Sequence, residues 1–221
     1  MADRSTAPAQ PRQTSTGTKA FLILYNSMSA VLWAAVLGRV VLLYTLRGQW
    51  KVYFGVGEFV KWTQTLAWAE VIFSLTGLVR APLLTTAMQV ASRLFLVWGV
   101  IHPFQADTVF SIGYSTMLLA WSITEVIRYT FFAINLGTGQ VPGWLLWLRY
   151  NTFFVLYPIG ISSECWMIIN AIGPAYAGNP LVAYLFIAVL IIYVPGSYIL
   201  YSHMMAQRRK VMRGQSAAKS Q

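Results

Sequence analysis

The polar positions of this chain collect in short clusters, and long apolar runs fill the space between them. Six of these runs, at residues 20–43, 59–79, 83–101, 109–134, 144–172 and 181–201, reach the length of about 20 residues that a helix needs to cross roughly 30 Å of hydrocarbon. Breaker residues separate them: Gly55 and Gly57, Pro82, Pro103, then Gly137-Thr138-Gly139-Gln140-Val141-Pro142-Gly143, and Gly173-Pro174 through Asn179-Pro180. The expected fold is therefore all-α, a polytopic membrane bundle of about six transmembrane helices. The second and third runs are joined so tightly that a re-entrant hairpin is the alternative for that pair. Residues 1–19, rich in Ser, Thr, Ala, Pro and Gln without apolar periodicity, are expected to form a disordered cytosolic tail. Residues 20–203 form the membrane domain and 204–221 a basic cytosolic tail. The run beginning at Ala20 is too long for a signal-peptide core and has no convincing cleavage pattern, so it is expected to remain as a span.

Composition supports the membrane as solvent. The chain is 57% hydrophobic and only 10% charged, against about 25% charged residues in a soluble domain. Nine Trp residues suit a protein that needs anchors at the membrane interface. The net charge of +10 is not a nucleic-acid footprint, because its distribution follows topology. An even number of spans puts both tails on one side. With the tails in the cytosol, Arg4, Arg12, Lys19, Arg80, Arg93, Arg128, Arg149, Arg208, Arg209, Lys210, Arg213 and Lys219 all lie toward that face. Arg47, Lys51 and Lys61 lie toward the other, and Arg39 falls inside the first span. That asymmetry predicts cytosolic termini.

The residue inventory excludes several chemistries. One cysteine, Cys165, rules out a disulfide framework within the chain and a cysteine-based zinc site. Two histidines, His102 and His203, cannot assemble the di-iron centre of a membrane desaturase or a two-histidine zinc motif. Gly55-Val56-Gly57 and Gly137-Thr138-Gly139 are isolated fragments, not a nucleotide-binding fingerprint. No cofactor and no metal is expected.

Three acids fall inside spans: Glu70, Glu125 and Glu164. A carboxyl group at membrane depth is expensive unless paired, which makes each a candidate for function. Glu125 precedes Arg128 by three residues, the spacing of an ion pair on one helix face. Glu70 has a possible partner only across helices. Glu164 has no cation nearby, but Tyr157 lies seven residues before it, about two helical turns and nearly the same face. Helical side chains lean toward the N-terminus, so the carboxyl reaches back toward the phenol. An acid and a phenol sharing a water-poor space form a plausible acid–base pair. The intramembrane arginines Arg80, Arg93, Arg128 and Arg149 gather near one mouth, where they either snorkel to headgroups or bind the phosphates of an amphipathic substrate.

Longer stretches carry a resemblance. Trp121-Ser122-Ile123-Thr124-Glu125-Val126-Ile127-Arg128-Tyr129, Leu148-Arg149-Tyr150-Asn151-Thr152, Leu156-Tyr157-Pro158 through Glu164, Glu70 through Arg80, Ser92-Arg93-Leu94-Phe95 and Tyr193-Val194-Pro195-Gly196 closely resemble the very-long-chain (3R)-3-hydroxyacyl-CoA dehydratases. The likeness runs from about Tyr25 to Arg209. It implies an endoplasmic-reticulum enzyme that removes water from 3-hydroxyacyl-CoA to give trans-2-enoyl-CoA, the third step of fatty-acid elongation. It also implies Tyr157 and Glu164 as the catalytic pair, and a condensing enzyme, a ketoacyl-CoA reductase and an enoyl-CoA reductase as partners. The family has been described as phosphatase-like from a Cys-x5-Arg echo. Here that segment is Ser74 through Arg80, with serine in place of the nucleophile, and it is expected to lie within a span.

On this reading Glu164 is the base that removes the C2 proton and Tyr157 the donor to the departing hydroxyl, although the reverse assignment stays open. Pro158 is expected to loosen the helix after Tyr157, with Gly160 giving further room; either a packing kink or backbone groups aimed at the thioester oxygen would follow. Arg128 and Arg149 are expected to hold the CoA phosphates, with Arg93 and Arg80 in support. A membrane transporter or a scaffold within an elongase complex is the alternative from a different class.

Overall fold

The computed structural model describes residues 15–79 and 83–219, which are helical nearly throughout, with no strand among them. Helix α1 (Thr16–Arg47) opens on Ser15, whose side chain accepts from the Thr18 N–H at 3.2 Å, a standard way to satisfy the free amides of a first turn. It closes at Gly48, where φ is 78°, a left-handed conformation that glycine adopts without a Cβ clash. The positions of α1 that become buried are Leu22, Asn26, Ser29, Trp33, Val36 and Val40. They recur every three or four residues, so one stripe of an otherwise apolar helix packs inward. That stripe lies along α6 (Ile112–Thr138), the central helix, which is buried on most sides.

After α1 a single 3-10 turn leads into α2 (Val52–Thr65) and then α3 (Trp68–Leu75). The expected span 59–79 is thus interrupted at Leu66 and Ala67, and neither helix alone is long enough to cross a membrane. No Gly or Pro marks the break. Tertiary partners hold it instead: the Trp98 indole N–H donates to Thr65 Oγ1 at 3.0 Å, and the Tyr25 hydroxyl donates to the Leu66 carbonyl at 3.3 Å. The pair retraces α1 in the opposite direction. A Cβ on Gly55 would press on Leu43, Arg39 lies over the Phe59 ring, and Phe73 packs edge-on against both Tyr25 and Phe21. From Leu43 to Phe21 is about 33 Å of helix rise.

Helix α4 (Leu83–Leu94) continues as a π-helical segment, Phe95–Ile101, so Leu83–Ile101 reaches span length as expected. After a short α5 (Gln105–Thr108) come α6, then α7 (Gly143–Asn151) and α8 (Phe153–Gly178). The expected run 144–172 therefore divides at Thr152 into α7 and the longer α8. Asn179 caps α9 (Pro180–Lys219), accepting from the Leu181 N–H at 3.0 Å, with Pro180 in the first helical position. Helix α9 runs past the expected end at 201 and carries the basic residues Arg208 to Lys210 with it. Among the described residues, five helices are long and apolar enough to cross a membrane: α1, Leu83–Ile101, α6, α8 and Pro180–Arg213 of α9. Of the tail expected at 1–19, residues 1–14 lie outside the described residues, and Thr16–Lys19 form the first turn of α1.

Helices α6 and α8 run antiparallel and close together. Thr116 and Ser163 share a 2.8 Å hydroxyl contact, and buried Gly160 sits opposite Ala120. A Cβ at Gly113 would stand 2.8 Å from the Trp166 ring and 2.9 Å from Met167 Cε. Gly113→Val is expected to force these helices apart, with a destabilisation of about 1–3 kcal/mol. A thermal-unfolding midpoint in detergent unchanged from wild type would show that the contact is not limiting.

Candidate active site

Helix α6 presents Glu125, Arg128 and Tyr129 at i, i+3 and i+4, on one face. Glu125 is 3% exposed and stands between two guanidinium groups. Arg128 Nε donates to Glu125 Oε2 at 2.6 Å, and Arg93 of α4 donates to the other oxygen. The remaining nitrogens of Arg128 reach both oxygens of Glu70 on α3, at 2.7 and 2.8 Å, and the Tyr129 hydroxyl donates to the same carboxylate. Two acids and two arginines thus cancel in one chain of contacts joining α3, α4 and α6. The ion pair expected from the Glu125 to Arg128 spacing is present, and Glu70 finds its partner across helices.

One turn before Glu125, the ring of Trp121 lies under the Arg93 guanidinium, 5.1 Å from its centroid. On its other edge the Trp121 indole N–H donates to Glu164 Oε1 at 2.8 Å. Glu164 Oε2 lies 2.9 Å from the Tyr193 hydroxyl of α9. An indole N–H can only donate, so Oε1 is an acceptor. Both oxygens of the carboxyl group are therefore fixed, one from α6 and one from α9.

Tyr157 faces the same way. Its hydroxyl donates to the Ser197 carbonyl of α9 at 3.0 Å, and its ring packs against Tyr201. Since Tyr193 and Ser197 are one turn apart on α9, Tyr157 and Glu164 look onto neighbouring positions of a single α9 face. Between them Pro158 sits within continuous helix, and its carbonyl accepts from Ser162 at 2.8 Å. Cys165, next to Glu164, is a half-buried free thiol.

The arginines divide into two groups. Arg93 and Arg128 are matched by carboxylates. Arg149 of α7 is half-buried against Phe131 and Phe132, 4.2 and 4.5 Å from their ring centroids, and has no carboxylate partner among the described residues. Arg80 lies outside the described residues. The segment expected to lie wholly within a span leaves helix earlier than anticipated: α3 ends at Leu75 and a turn follows through Gly77, where φ is 71°. The case against phosphatase chemistry there rests on Ser74 replacing the nucleophile.

Trp121 and Tyr193, both inside stretches already noted for their resemblance, had been given no role. The available signal was position. An indole and a phenol in mid-span, away from the interfacial belt, each need a hydrogen-bond partner.

Residues 64–214 match the family model described as protein tyrosine phosphatase-like protein, PTPLA. The chain belongs to this family. It is 46% identical over 201 residues to a probable very-long-chain (3R)-3-hydroxyacyl-CoA dehydratase of Schizosaccharomyces pombe, covering 90% of this chain and 96% of that one. It is 39% identical to the very-long-chain (3R)-3-hydroxyacyl-CoA dehydratase PASTICCINO 2A of Oryza sativa, covering 90% and 95%, and 39% identical to the dehydratase hpo-8 of Caenorhabditis elegans, covering 90% and 97%. No solved structure matches.

Removing one carboxylate from the matched chain would leave guanidinium groups unpaired in a water-poor site. Glu125→Ala is expected to destabilise the protein by about 3–5 kcal/mol, as when one partner of a buried ion pair is lost. Purification yield and thermal stability in detergent check this, and a variant as stable as wild type would remove the network from its structural role.

Proposed function

We propose that this protein is a very-long-chain (3R)-3-hydroxyacyl-CoA dehydratase, using Glu164 and Tyr157 as its acid–base pair. The relatives' names supply the reaction. The observation that carries the assignment to residues is the fixation of both Glu164 oxygens by Trp121 and Tyr193, with Tyr157 on the same side one turn of α9 away. A side chain held by two donors from two helices is pre-organised, and pre-organisation is what proton transfer in a defined geometry demands.

In the proposed reaction Glu164, as carboxylate, takes the C2 proton. The C2–H electron pair forms the C2–C3 double bond, and the C3–O bond breaks. Tyr157, as neutral phenol, gives its proton to the departing oxygen, which leaves as water. The proton on Glu164 then returns to the Tyr157 phenolate, directly or through solvent, and both groups are reset. Pro158 lacks the N–H that would donate to the Phe154 carbonyl, and a carbonyl freed in this way is an acceptor that cannot meet negative charge on the thioester oxygen, so the packing role is the one proposed for Pro158 within α8.

Arg149 is the proposed contact for the CoA phosphates. Arg93 and Arg128, already neutralised by Glu125 and Glu70, act inside the bundle by holding α4 and α6 in place; Arg80 is proposed alongside Arg149. The antiparallel contacts of α2 and α3 along α1 support counting that interrupted pair as a sixth crossing; with an even count and basic residues in both tails, cytosolic termini are the proposed orientation. The membrane of the endoplasmic reticulum and the other three enzymes of the elongation cycle complete the proposed setting.

Protein purified in detergent, incubated with (3R)-3-hydroxyacyl-CoA and followed by mass spectrometry for loss of water, tests the activity. Tyr157→Phe and Glu164→Gln are each expected to lower kcat by about 10²–10⁴ without unfolding the protein; near-normal turnover in either removes that residue from the mechanism. Arg149→Ala is expected to raise KM by about tenfold, the loss of one charge-assisted hydrogen bond, and an unchanged KM rejects the phosphate contact.

A further inference from the structure

We propose that Arg208 is a second binding residue for the phosphates of the CoA thioester, set by α9 at the reach of the pantetheine arm from the Tyr157 and Glu164 pair. The proposal rests on the dehydratase reading and extends it to a residue outside the four arginines already considered.

One face of α9 is defined by its contacts. Tyr193 meets Glu164, the Ser197 carbonyl meets Tyr157, Tyr201 packs against Tyr157 and Phe153, and Arg208 donates from Nε to Asn151 Oδ1 at 3.0 Å. These positions follow one another at intervals of four, four and seven residues, so they share one side of the helix. At 1.5 Å per residue, Arg208 stands about 16 Å beyond Ser197 and about 22 Å beyond Tyr193. In the substrate, roughly sixteen bonds separate C3 from the nearer phosphorus of the diphosphate, and at the extension per bond of a stretched polypeptide that is about 19 Å. A thioester whose C3 lies between Tyr157 and Glu164 therefore brings its diphosphate level with Arg208.

The chemistry at that level fits. Arg208 is partly buried, its guanidinium packs 5.2 Å from the Phe154 ring centroid, and Asn151 fixes its Nε. It has no carboxylate partner among the described residues. The planar end of a guanidinium held in this way is suited to two parallel hydrogen bonds with a phosphate. Its neighbours Arg209 and Lys210 are exposed instead. Asn151 also follows Arg149 by two residues on α7, so Arg149 and Arg208, both partly buried and without a carboxylate partner among the described residues, bracket the same mouth. Deeper in the bundle, each arginine of the Glu125 network has its anion. At the mouth the positive charge is uncompensated, and a diphosphate would compensate it.

The test compares two substrates, a 3-hydroxyacyl-CoA and the matching 3-hydroxyacyl-pantetheine, which shares the reacting end but has no phosphate. With Arg208→Ala, kcat/KM is expected to fall about tenfold for the CoA thioester relative to the pantetheine thioester, mainly through KM. Asn151→Ala, which keeps the cation but frees it, should show a smaller loss of the same kind. Arg209→Ala should match wild type on both substrates. Equal losses on both thioesters for Arg208→Ala, or no loss on either, overturn the assignment while an active wild type leaves the dehydratase reading intact. A wild type unable to dehydrate either substrate overturns both.

Discussion

Ionised side chains cannot remain unpaired in hydrocarbon, and the position of Glu125 follows from that constraint. Buried between Arg93 and Arg128, it is the point where α4 and α6 are joined by charge, and Arg128 carries the connection on to Glu70 and α3. A buried ion pair adds little net stability compared with apolar packing, but breaking one is severe, so such a network acts chiefly to specify one arrangement of helices. It also reaches the candidate site. Arg93 lies over Trp121, and Trp121 holds Glu164. The matched charges near α3 and the carboxyl group facing α9 are therefore linked through a single indole.

The candidate site is built between α8 and α9 instead of inside a closed cup. Helix α8 supplies Tyr157 and Glu164, α9 meets them through Ser197 and Tyr193, and α6 adds Trp121 on Glu164. A helix is a rigid spacer with a fixed rise, so the separation between the proposed reacting pair, level with Tyr193 and Ser197, and the Arg208 cation is set by residue count. For a substrate with a long polar arm, that is a simple way to couple recognition at the membrane surface to chemistry below it. The division of arginines follows the same logic. Deep in the bundle they need protein anions, whereas near the mouth an anionic ligand can serve.

Several features could be read from residue spacing. Glu125 and Arg128 are three apart and pair; Tyr157 and Glu164 are seven apart and face the same neighbouring helix. The span Leu83–Ile101 begins and ends where its apolar run does. Other features left no local trace. The interruption at Leu66 and Ala67 has no Gly or Pro and depends on Tyr25 and Trp98, which come from distant parts of the chain. The division at Thr152 likewise falls within an apolar run. That Arg93 meets Glu125 and Arg128 also meets Glu70 could not be read from spacing, because each of those partners lies on a sequence-distant helix.

Sequence by itself determined the solvent, the helical class, the approximate spans and the pairings that lie within one helix, because hydropathy and a 3.6-residue period are local properties. Tertiary structure decided which helix met which: that Trp121 and Tyr193 converge on Glu164, that Glu70 closes onto Arg128, and that Arg149 and Arg208 meet no carboxylate among the described residues. Those outcomes depend on how helices apolar on nearly every side rotate against one another. In such helices it is the few polar groups and the close-packing glycines, brought together only by the whole fold, that choose the rotation.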